Sequence, residues 1–186
     1  MPKRVDPPFD VKGLMQQGDQ FLHAMHLFGQ QTNDEFAKVA TPFVVCSSFA
    51  LEAYLKVLTY IEKNLRPLKT HNLRDLFFDI SPESQVILEE KWTKEALPKI
   101  MRHHQNPYLP SDFPRIQTFR QALEQSAHAF VDWRYAGRKD DRNFSLPDLV
   151  PMAWQIIAEK RPEIRSRKQI MRPLDGPLPP LNQEDD

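Results

Sequence analysis

Residues 42–63 read PFVVCSSFALEAYLKVLTYIEK, and this stretch decides the fold. Thr41 before Pro42 gives a cap residue followed by proline at a first helical position. Phe43, Val44, Val45, Cys46, Phe49 and Ala50 then leave almost no polar face. A helix that is apolar nearly all round belongs at the centre of a bundle. Ala53, Tyr54, Val57, Leu58 and Ile61 continue the buried stripe, while Glu52, Lys56 and Lys63 mark a polar one.

Outward from this segment the chain keeps helical periods. Leu14, Gly18, Phe21, Leu22, Met25 and Phe28 predict a first helix over 12–30, after an extended arm at 1–11. A short helical piece is expected over 34–40, ending before Pro42. Thr70 or Asn72 can cap a short helix running through Phe78. Ser81-Pro82-Glu83 repeats the start signal, with an acidic first turn suited to the helix dipole. That helix should reach about Met101, bent or ended early by Pro98, with Val86, Ile87, Trp92, Leu97 and Ile100 inward. A loop over 102–113 and a cap at Asp112 lead into a long helix, Pro114 to Tyr135, closed by Gly137. Its core residues would be Ile116, Phe119, Leu123, Ala127, Phe130 and Trp133. After a polar loop at 138–144, a last helix is expected from Ser145 to Lys160. The reading is all-α: four to five main helices with short extra ones, in a domain over 12–160. Residues 161–186, basic, then proline-rich, then acidic, form a tail too poor in apolar residues to fold.

Composition narrows the function classes. The 186 residues carry 25 Lys+Arg against 25 Asp+Glu, so any affinity for a polyanion must come from a local patch. Five glycines against seventeen prolines argue against glycine-rich phosphate loops and hairpin-rich β architecture. One cysteine, Cys46, in the most apolar segment fits a reducing, cytoplasmic setting. No run of eighteen apolar residues occurs, and no signal sequence is expected at the N-terminus, so no membrane partner is expected. No cofactor is called for.

The densest polar cluster joins the second and third helices: Lys63, Arg66, Lys69, His71 and Arg74. Four cations and a histidine within twelve residues could hold a phosphate backbone. The simpler reading is a solvated loop whose cations suit a helix C-terminus. Glu52 and Lys56 have the favourable order of a helical ion pair. Asp19, His23 and His26 share a helix face, with His103-His104 as conceivable helpers, but three ligands on one straight helix diverge and no metal site is assigned. Trp133-Arg134-Tyr135 sets an arginine between aromatics, able to stack on a base or to serve as a packed ion-pair donor. His128 on the same helix reads as a satisfied core or interface histidine.

Three segments together resemble the HEPN superfamily of small helical bundles. They are Ser47 to Lys56 (SSFALEAYLK), Lys69 to Phe77 (KTHNLRDLF) and Ala129 to Tyr135 (AFVDWRY). The resemblance implies a bundle that is frequently dimeric. It also implies binding of RNA or nucleotide and, in many members, metal-independent ribonuclease activity in bacterial toxin–antitoxin, phage-defence or RNA-processing systems. Nuclease members carry arginine, four to six residues, then histidine on a late helix. Here Arg120 and His128 are seven residues apart in between, His128 precedes Arg134, and the matching spacing falls at Arg66 and His71 on the early turn. If catalysis is retained, His71 is the candidate acid or base, Lys69 and Arg134 the phosphate-stabilising cations, and Glu52 an orienting partner. Lys63, Arg66, Lys69, Arg74 and Arg134 would contact nucleic acid. The alternative is a non-catalytic helical interaction module binding a protein or small ligand. Under either reading the tail could dock a protein partner.

Overall fold

The computed structural model describes residues 9–105, 115–134 and 145–164. Among them all regular structure is helical: α1 (Val11–Gly29), α2 (Asn33–Lys63), α3 (Leu73–Asp79), α4 (Pro82–Glu95), α5 (Leu97–His104), α6 (Phe119–Ser126), α7 (Ala129–Arg134), α8 (Leu149–Lys160) and a 3-10 turn at Pro162–Ile164. The expected cap at Asp112, the start at Pro114, Tyr135, Gly137, the loop at 138–144 and the chain from 165 onward lie outside the described residues. So do the arm at 1–8 and the side chains of Trp133 and Arg134.

α2 is the axis of the fold and packs against α1, α3, α7 and α8. Ala50, Leu51, Tyr54, Leu55, Val57 and Leu58 are all completely buried along it, as an all-round apolar segment requires. By length and composition Glu35–Lys63 would suffice to cross a bilayer; 67% of its apolar eighteen-residue window is buried within the fold, as in the core helix of a bundle. The expected break before Pro42 is also absent, and Pro42 lies inside one continuous helix. A proline there removes a hydrogen bond and costs about 3 kcal/mol in an isolated helix. Seven residues over 34–40 are too few to hold a helix alone, so continuity with the buried segment wins. The polar stripe needs correction as well, since Glu52 is 7% exposed.

Several boundaries are set by capping side chains. Asp10 accepts from the Gly13 amide, Asn72 from Asp75, Ser81 from Ser84 and Thr118 from Gln121. The helix from Pro82 ends early, at Glu95 instead of Met101, which is one of the two outcomes expected near Pro98. Pro98 itself stands in the first turn of α5, where its missing N–H is harmless. Val86, expected in the core, is 54% exposed. The long helix to Tyr135 is two pieces. α6 starts at Phe119, and the chain turns at 127–128 before α7. The turn has a tertiary cause: the Ala127 carbonyl accepts the Leu73 amide at 2.9 Å, satisfying the first N–H of α3 instead of extending α6. The last helix begins at Leu149, four residues after Ser145, because the Ser145 amide donates to buried Ser126 Oγ (3.2 Å) and its carbonyl accepts from Trp92 Nε1 (3.3 Å). Ile164 is 5% exposed and joins the core, so the packed chain extends four residues past Lys160.

Two polar knots tie the layers. Asp19 Oδ1 accepts from Tyr54 Oη (2.8 Å) and Trp154 Nε1 (3.1 Å), joining α1, α2 and α8. Burial, with the Asp19 charge and hydrogen bond added, pushes the Tyr54 phenol far above its ordinary range. Gly18 permits this approach: a Cβ there would stand 2.6 Å from Tyr54 Cε1. The second knot is Glu62, whose side chain is 4% exposed. It accepts from the Ser81 amide (2.8 Å), from Ser84 Oγ in a short contact, and from Lys160 Nζ (3.1 Å). Burial alone would raise this carboxyl, but the hydrogen bonds from Ser84, Ser81 and Lys160 outweigh it and hold Glu62 below the usual carboxylate range.

Candidate functional site

Glu52 sits midway along α2, its side chain 10% exposed, and an ionised carboxylate so placed must be paired. Lys56 lies one turn on and donates to Oε1 at 2.6 Å, in the order the sequence suggests. The second partner comes from the α2–α3 loop: His71 Nδ1 lies 2.9 Å from Glu52 Oε2 and 3.1 Å from Oε1. The His71 side chain is 58% exposed. A buried carboxylate thus grips one edge of an imidazole whose bulk faces out.

The backbone around His71 is fixed on both sides. Thr70 Oγ1 accepts the Asn72 amide at 3.0 Å, and Asn72 caps α3 through the Asp75 amide at 3.1 Å. The Leu73–Ala127 bond then anchors α3 to the α6–α7 turn. The ring rests against Phe130 at 5.3 Å between centroids; Phe130 meets Phe49 at 4.2 Å, and Phe49 stacks on Phe21 at 4.7 Å. An aromatic ladder therefore runs from α1 through α2 and α7 to His71. Since the carboxylate accepts from Nδ1–H, the lone pair of the neutral ring is at Nε2. That arrangement can take a proton at Nε2, with Glu52 stabilising the resulting imidazolium.

The cationic cluster does not converge on this dyad as one patch. Lys63 Nζ is 3.8 Å from Asp79, whose other oxygen accepts the Leu68 amide at 3.4 Å. Arg74 Nε donates to Glu124 at 2.7 Å, with its guanidinium 5.5 Å over the Phe78 ring. Arg66 and Lys69 are exposed, and each has an interaction of its own. Residues 64–72 carry no helix, so Arg66 and His71 share no helical face. Arg134 closes α7, and its side chain lies outside the described residues.

Asp19 is engaged with Tyr54 and Trp154, and His23 and His26 on the same helix are exposed. His128 is no core histidine: it is exposed on the α6–α7 turn, with Nε2 3.5 Å from Asn72 Nδ2. Burial pushes the Cys46 thiol up, away from the reactive thiolate. Sequence reasoning missed Asn72 as a site residue, although its place between His71 and an α3 cap was the available signal. It missed Glu62 altogether, because its partners come from 19 to 98 residues away. Comparison of the chain with protein-family models, with curated proteins and with solved structures finds no match.

Proposed function

We propose that this protein is a HEPN-like, RNA-directed protein of a reducing cytoplasmic compartment, in which His71 held by Glu52 acts as the general base of a metal-independent ribonuclease. The observation that carries the reading is a buried carboxylate 2.9 Å from the Nδ1 of a half-exposed histidine. His71 Nε2 takes the proton of a ribose 2′-hydroxyl. The freed oxygen bonds to the adjacent phosphorus, and the bond from phosphorus to the 5′ oxygen breaks. That oxygen takes a proton from water, leaving a 2′,3′-cyclic phosphate and a 5′-hydroxyl end. A positioned base contributes about 10²–10⁴-fold to such a step. Lys69, Arg66 and Arg134 are the cations proposed to meet the phosphates, with Lys63 and Arg74 at the margin. A homodimer, as in many HEPN proteins, belongs to the same reading.

The test uses purified protein with total cellular RNA, with and without a chelator, beside His71→Ala and Glu52→Gln. Chelator-resistant cleavage that vanishes in His71→Ala and weakens in Glu52→Gln supports the assignment. Cleavage unchanged in His71→Ala removes it. A second reading, a non-catalytic helical interaction module, has its own support. Lys63 and Arg74 are paired with carboxylates, and Leu65, Leu68 and Phe78 are 61%, 46% and 47% exposed beside them. Absence of cleavage by folded wild-type protein and both variants makes that reading the leading one.

A further inference from the structure

The contact between Asn72 and His128 bears on the same surface. Asn72 Oδ1 already accepts the Asp75 amide at 3.1 Å, which fixes the orientation of the side-chain amide. Its Nδ2, a donor only, is therefore the atom 3.5 Å from His128 Nε2. A donor facing Nε2 calls for a lone pair there, so the ring proton of His128 is on Nδ1. His128, the exposed residue of the α6–α7 turn, then carries an N–H donor at Nδ1. It is one residue from Ala127, which anchors α3, and two from Phe130, against which His71 rests. His71 and His128 thus flank Asn72 with opposite capacities, an acceptor nitrogen on one ring and a donor nitrogen on the other.

We infer that His128 is a second substrate contact, donating its Nδ1–H to a backbone phosphate oxygen of the RNA strand whose 2′-hydroxyl meets His71. This rests on the ribonuclease reading above but gives His128 a separate role, in which it binds phosphate and moves no proton. Asn72 is the positioning residue that selects its tautomer.

Binding of a 2′-O-methyl oligoribonucleotide separates the two roles, because it cannot be cleaved. His128→Ala should weaken that binding about tenfold, the scale of one hydrogen bond to a charged group. His71→Ala should change it less than about twofold while removing cleavage of ordinary RNA. Asn72→Asp keeps the α3 cap but puts a carboxylate opposite Nε2. Nitrogen-15 spectra of the imidazoles should then show the His128 proton leave the Nδ1–H pattern of wild type for Nε2, and binding should fall with it. Equal binding by wild type and His128→Ala, or a wild-type proton on Nε2, overturns the inference and leaves the role of His71 standing. Wild-type protein that binds no oligonucleotide overturns the RNA reading and this one together, whatever the tautomer.

Discussion

α2 carries two buried glutamates ten residues apart, and they have opposite fates. Glu62 is closed: the Ser81 amide, the Ser84 hydroxyl and the Lys160 ammonium all donate to it. Glu52 is open on one side, because one of its two partners, His71, keeps more than half of its side chain in solvent. A buried carboxylate with fixed protein donors is a structural joint, here locking α2 to α4 and α8. A buried carboxylate that shares an exposed imidazole is suited to chemistry, since the ring can exchange protons with whatever arrives. Thr59, between them on the same helix, is a third case: its hydroxyl is buried and finds no partner among the described residues.

Breaking the closed site should cost most. Glu62→Ala leaves Ser84 and the Ser81 amide without their acceptor and Lys160 with only Glu83, 3.6 Å away, and we expect a loss of ~3 kcal/mol or more in urea unfolding. Acid should act on the same site. The Glu62 carboxyl is depressed when folded, so its contribution is present above its unfolded value of 4.5 and is lost as pH falls through the lower folded one. Lys160 is raised despite its partial burial, chiefly by its hydrogen bond to Glu62. Its contribution holds below 10.5 and is lost as pH rises through the higher folded value. Glu62→Gln should therefore flatten the acid limb of a stability–pH profile; an unchanged limb would mean that other carboxylates govern it. Thr59→Val replaces an unpartnered buried hydroxyl by a methyl of similar shape and should raise stability by about 1 kcal/mol, read as a higher urea midpoint at constant slope. The smallest effect belongs to the open site. His71→Ala should shift stability by less than ~1 kcal/mol, as expected for a hydrogen bond whose donor is half exposed. A large loss there would make His71 a second structural joint and erase the contrast.

The helical class was legible because the apolar period of α2 and the caps at Ser81 and Asn72 are local signals. Boundaries failed where tertiary hydrogen bonds decide them. Nothing within residues 114–135 indicates that the Ala127 carbonyl is taken by Leu73, or that Ser145 is held by Ser126 and Trp92. Pro42 misled for the opposite reason, since a strong local start signal yielded to the packing of the helix around it. Of the site, His71 and Glu52 were readable by type, an imidazole able to serve as acid or base and a carboxylate one helical turn before Lys56. Their meeting was not, because it depends on how the 64–72 loop folds back over α2. The cation cluster was readable from the sequence, but its division between Asp79 and Glu124 is set by the fold.

The bond from Leu73 to Ala127 also supplies a local clock. The first amide of a helix has no partner in its own helix and ordinarily exchanges its hydrogen with solvent at once. In α3 that amide is covered from across the fold. Its exchange with deuterated water therefore times the separation of α3 from the α6–α7 turn, not the fraying of a helix end. Because His71 and His128 stand on the two segments that this bond joins, one slow amide would report how often they part.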